Sequence, residues 1–120
     1  MTVNPEFHFD FGSPNAYFAQ HVLPEIEERT GVTFTWVPVL LGGIFKATKN
    51  QAPWMAFADV KGKMAYEQLE IARFQKDHGI TKFRLNPHFP MNSLMLMRGA
   101  TAVEGTDDFG AYCDACFRGM

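Results

Sequence analysis

The chain has 120 residues, is 47% hydrophobic and carries a formal net charge of −2, the composition of one ordinary globular domain. With a pI near 6.0 and no polybasic stretch it is a poor partner for nucleic acid, and no apolar run approaches the ~20 residues of a membrane span. Two cysteines and no signal-like N-terminus point to a reducing, cytoplasmic setting without a disulfide framework.

Phe7, Phe9 and Phe11 alternate with His8 and Asp10, which predicts a strand over Glu6 to Phe11. Gly12 supplies a turn, Ser13 suits a helix N-cap, and Pro14 suits the first helical position. A strand that runs into a helix start aims backbone N–H groups and the positive end of the helix dipole at whatever sits beside Ser13. Phe18, Val22 and Ile26 share one stripe of that helix, and Thr30-Gly31 closes it. Pro24 is expected to kink or divide it, because it removes a donor and crowds the Gln20 carbonyl. Val32 to Val39 reads as a second strand that ends around Pro38. Strand, helix and strand together imply a parallel pair with a right-handed crossover.

Beyond Leu40, Gly42-Gly43 and the polar stretch Lys46 to Pro53 predict a loop. Met64, Ala65, Leu69, Ile71 and Ala72 fall in one long amphipathic helix, with Gly79 just past its end. The two prolines of Asn86-Pro87-His88-Phe89-Pro90 exclude regular helix there. One helix is expected from about Asn92 and another from Asp107. Two parallel strands cannot cover their own apolar faces and edges. The chain is therefore expected to be a piece of a larger domain, inactive alone and prone to self-association.

Cys113 and Cys116 have C-x-x-C spacing, but no strand precedes them, and with Phe109 and Phe117 they form one apolar helical stripe. They read as core residues. His8, His21, His78 and His88 show no ligand spacing, so no metal site is expected. Leu94-Met95-Leu96-Met97 reads as core helix, and Lys63 as solvated surface.

Three motifs, in this order, resemble one family. They are Asp10-Phe11-Gly12-Ser13-Pro14-Asn15-Ala16-Tyr17, then Pro38-Val39-Leu40-Leu41-Gly42-Gly43-Ile44-Phe45-Lys46 with Asn50, then Asn86-Pro87-His88-Phe89-Pro90-Met91-Asn92. The family is 2-hydroxychromene-2-carboxylate isomerase, and the resemblance extends to the kappa-class glutathione transferases. It implies an α/β, DsbA-like thioredoxin fold with an inserted helical domain, glutathione as cofactor, a small aromatic substrate, and a homodimer when full length. It also implies a division into residues 1–45, the β-α-β half, and residues 46–120, the inserted helices. The C-terminal part of the fold would then be missing.

Redox relatives read Cys-Pro-x-Cys where this chain reads Ser13-Pro14-Asn15-Ala16. The resemblance makes Ser13 the catalytic residue, in contact with the glutathione sulfur. It places Pro14 and Asn15 beside the tripeptide, although many relatives carry Tyr at the Asn15 position. It assigns Asn50 to the glutathione backbone and Lys61 to a glutathione carboxylate. Asn86, Pro87 and Phe89 are placed near the second substrate. Three other readings remain open: a kappa-class-like transferase, a DsbA-like disulfide oxidoreductase, and a thioredoxin-like binding module without catalysis.

Overall fold

The computed structural model describes residues 2–120. Its elements in chain order are β1 (Glu6–Phe9), α1 (Pro14–Thr30), β2 (Thr35–Pro38), α2 (Leu41–Thr48), α3 (Pro53–Ala56), α4 (Lys63–Asp77), α5 (Leu94–Val103) and α6 (Phe109–Arg118). The chain divides into two compact units. One comprises the chain up to Leu40 together with Arg84–Met120; the other is Leu41–Phe83. The helices α5 and α6 fall in the first unit, where their apolar faces close the core that β1 opens.

In the first unit β1 and β2 pair in parallel, in register from Glu6 opposite Thr35 to Phe9 opposite Pro38. Both strands are shorter than expected, for local reasons. The Asp10 carboxyl accepts the Gly12 N–H at 2.8 Å, and the Asp10 carbonyl accepts the Ser13 N–H at 3.0 Å, so the chain turns out of β1. Before β2, Gly31 adopts a left-handed conformation (φ 71°) and the Phe34 N–H donates to the Glu27 carboxyl at 2.7 Å. Residues 32–34 are thereby tied to the end of α1. That helix runs unbroken through Pro24; Phe18 and Leu23 are buried before the proline and Ile26 is half-buried after it. Packing on both sides outweighs the one lost backbone bond.

Phe9, Phe11, Ala16, Met97, Ala100, Cys113 and Phe117 form the buried cluster, with Phe7, Trp36 and Tyr112 packed around it. Phe9 and Phe11 lie on the face that the period-two pattern assigned inward. Their rings meet Phe117 at centroid distances of 5.9 and 4.9 Å. Burial of each such ring is worth about 1.5–3 kcal/mol. The helices α5 and α6 approach closely at Gly99, where an added Cβ would lie only 2.7 Å from Tyr112 Cζ. The Tyr112 hydroxyl donates to the Leu96 carbonyl at 2.8 Å. Cys113 is 1% exposed and Phe117 2%, as expected of the α6 stripe.

In the second unit the polar text after Gly42-Gly43 does not begin as a loop. Leu41–Thr48 is helical, with Leu41 and Phe45 half-buried four residues apart, a spacing that overrides the poor helix propensity of two glycines. The helix α4 matches its prediction. Gly79 (φ 64°) follows its C-cap, the Gly79 N–H donates to Lys76 O at 3.3 Å, and the Ile80 N–H donates to Gln75 O at 2.8 Å. None of α2, α3 and α4 contributes a buried residue. Among the described residues no helix is long and apolar enough to cross a membrane.

Candidate functional site at the start of α1

Ser13 is the N-cap of α1, with extended backbone (φ −99°, ψ 115°), and is half-buried. Its Oγ accepts the Ala16 N–H at 3.2 Å, and its carbonyl accepts the Tyr17 N–H at 3.1 Å. Pro14, also half-buried, has no N–H to give. The sequence suggested several free donors at this helix end; the structure leaves one backbone donor, the Asn15 N–H, without a partner among the described residues. Asn15 itself is exposed. The Ser13 hydroxyl proton also meets no acceptor among them. Two uncommitted donors thus stand at the electropositive end of a 17-residue helix.

Beneath Ser13 the turn is tightly built. Asp10 is 4% exposed. A Cβ placed on Gly12 would lie a tight 3.3 Å from Asp10 Oδ1 and at an ordinary contact distance, 3.5 Å, from Ser93 Oγ, which makes Ser93 a neighbour of this turn. Ser93 ends the irregular segment that contains Asn86, Pro87 and Phe89. Its contact with Gly12 therefore brings one end of that segment to the Ser13 turn. Composition and periodicity did not single out Ser93; the text Asn92-Ser93-Leu94 marks only a helix start.

Within the segment, Asn86 Oδ1 accepts the His88 N–H at 2.9 Å and Asn86 O accepts the Phe89 N–H at 2.9 Å. Asn86 and Phe89 are half-buried and Pro87 is exposed. The Asn86 side chain therefore shapes its own turn before it can meet any ligand. Asn50 and Lys61 lie in the second unit, both exposed. Asn50 Oδ1 accepts the Gln51 N–H at 2.8 Å. Lys61 precedes Gly62 (φ 78°) in the turn into α4 and makes no ion pair among the described residues. Lys63, by contrast, reaches Glu67 at 3.5 Å and lies 5.4 Å from the Phe57 ring centroid. His8 is engaged by Glu6, Nε2 to Oε2 at 2.7 Å.

The C-x-x-C pair is placed as core. Burial, reinforced by Cys116 and Asp114, pushes the Cys113 thiol up to about 12, the reverse of what a redox nucleophile needs. No group of three or more metal-ligating side chains occurs among the described residues.

A strand that feeds a capped helix start beside a parallel partner, closed by further helices, is an arrangement that a thioredoxin-like domain contains. The chain belongs to the DSBA-like thioredoxin domain family, whose model matches residues 6–120. Among solved structures it is similar to a 2-hydroxychromene-2-carboxylate isomerase, in its selenomethionine form, with 26% identity and a TM-score of 0.70. That match covers 93% of this chain and 53% of the isomerase, so the chain spans about half the length of its solved relative. No curated protein matches the sequence. The DsbA-like thioredoxin fold expected from the three motifs is borne out, and the likeness to the solved isomerase agrees with the resemblance they carry.

Proposed function

We propose that the chain belongs to a glutathione-dependent isomerase that interconverts 2-hydroxychromene-2-carboxylate and trans-o-hydroxybenzylidenepyruvate. The observation that carries this reading is the pair of uncommitted donors, the Ser13 O–H and the Asn15 N–H, at the start of α1. The likeness to a solved isomerase supplies the substrate class. Glutathione would bring the thiol that this corner of the fold has lost at Ser13 and Ala16.

A free thiol with a pKa near ~8.5 is only a few per cent ionised at pH 7. A fall of about two pKa units needs roughly 2.7 kcal/mol of preference for the anion. A hydroxyl hydrogen bond to a charged acceptor contributes about 1.5–3 kcal/mol, and the helix end about 0.3–2 more. Together these span the preference needed, so no general base is required at the upper part of the range. Ser13 acts as a donor to the thiolate, not as a covalent nucleophile. Because its Oγ already accepts from Ala16, its hydroxyl proton is turned towards other acceptors.

Bound here, glutathione would supply a thiolate able to add reversibly to the conjugated chromene, which is what ring opening and cis-to-trans rotation require. The Ser13 hydroxyl and the Asn15 N–H would hold that sulfur as its anion. In a full-length version of the protein, Ser13→Ala is expected to lower turnover by about one to three orders of magnitude, the loss of one oxyanion-type donor. Product analysis of hydroxychromene incubated with glutathione and the protein tests the reaction. Released isomer supports it; a stable conjugate would make the protein a kappa-class-like transferase instead.

A further inference from the structure

Two serines open helices in the first unit, and they behave differently. Ser13 caps α1 with its side chain. Ser93 occupies the corresponding position of α5 but makes no side-chain capping bond; the Leu94 N–H donates instead to Asn92 Oδ1 at 3.0 Å. Ser93 is 6% exposed, and its hydroxyl has no hydrogen-bond partner among the described residues. No fully enclosed side-chain polar atom is left unpaired among those residues, so the Ser93 hydroxyl still reaches an opening. That hydroxyl lies against Gly12, the neighbour of Ser13, and the first-turn N–H groups of Met95 and Leu96 also lack partners among the described residues.

We infer that Ser93 and the start of α5 form a carboxylate-binding subsite of the Ser13 site and contact the carboxylate of the aromatic substrate while its carbon skeleton is attached to sulfur. This rests on the glutathione reading above. A hydroxyl and two N–H groups at a helix N-terminus match a carboxylate's acceptor-only oxygens. The Asp10 carboxyl opposes an anion nearby, although its Oδ1 is occupied by the Gly12 N–H.

Calorimetry with two stable conjugates, S-benzylglutathione and its carboxybenzyl counterpart, tests the assignment. Wild-type protein should prefer the carboxylated conjugate by about tenfold, the effect of one charge-assisted hydrogen bond. Ser93→Ala should erase most of that preference and leave S-benzylglutathione affinity unchanged; Ser93→Thr, which keeps the hydroxyl, should restore it. Ser93→Gly takes the place of the alanine variant if circular dichroism shows the latter misfolded. A full preference retained in Ser93→Ala overturns the subsite alone. If neither conjugate binds the wild type, the glutathione reading falls and takes the subsite with it.

Discussion

At the scale of single residues, hydrogen-bonding commitments separate residues that build the protein from those able to act. Asp10 and Asn86 spend their side chains on turns, and Ser13 spends only its acceptor side. Cys113 belongs with the builders. Its folded thiol is held near 12 against an ordinary value of 9.0. The proton is thus bound more tightly in the folded state, and the stabilisation is complete below about pH 9. It declines as pH rises from there towards 12, because the unfolded chain ionises first. Cys113→Ala is expected to flatten that decline, read as the unfolding free energy across the alkaline range. Iodoacetamide at neutral pH should label Cys113 only after denaturation.

At the scale of elements, the legible parts of the sequence were those whose signals are local and agree with one another. Phe7, Phe9 and Phe11 announced the inward face of β1, Ser13-Pro14 announced the start of α1, and Gly79 announced the end of α4. The misread parts depended on partners distant in the chain. Both strand ends were trimmed by side-chain bonds from Asp10 and Glu27, and Gly42-Gly43 was drawn into α2 despite its propensity. The Ser93 approach to Gly12 spans some eighty positions and leaves no periodic trace. Gly99 is another case, since its need for no side chain comes entirely from Tyr112 on α6. Gly99→Ala should destabilise the first unit by about 1–3 kcal/mol through overpacking, measured by urea titration. Combination with Tyr112→Ala should give less than the sum of the two single effects.

At the scale of the whole molecule, the two units are unequally built. The first has a contiguous aromatic core, whereas in the second only Ala52, Ile80 and Phe83 are buried. Met55, Phe57, Val60, Tyr66 and Leu69 are exposed there. Amides of α4 are therefore expected to exchange with deuterium well before those of β1 and α6, in hydrogen-exchange mass spectrometry under native conditions. Equal protection of the two would show that the second unit is stabilised by more than its own core. The division of labour also explains why the candidate site was legible in part: Ser13 sits on the well-packed unit, in text whose pattern is strong.

The central claim is that a serine hydroxyl at a helix start holds a borrowed thiol as its anion. The direct measurement is the ultraviolet titration of the thiolate of glutathione bound to the wild-type protein and to Ser13→Ala. An apparent pKa clearly below the free-thiol value near ~8.5 is expected in the wild type, returning towards that value in the variant. The same titration curve in both proteins would contradict it.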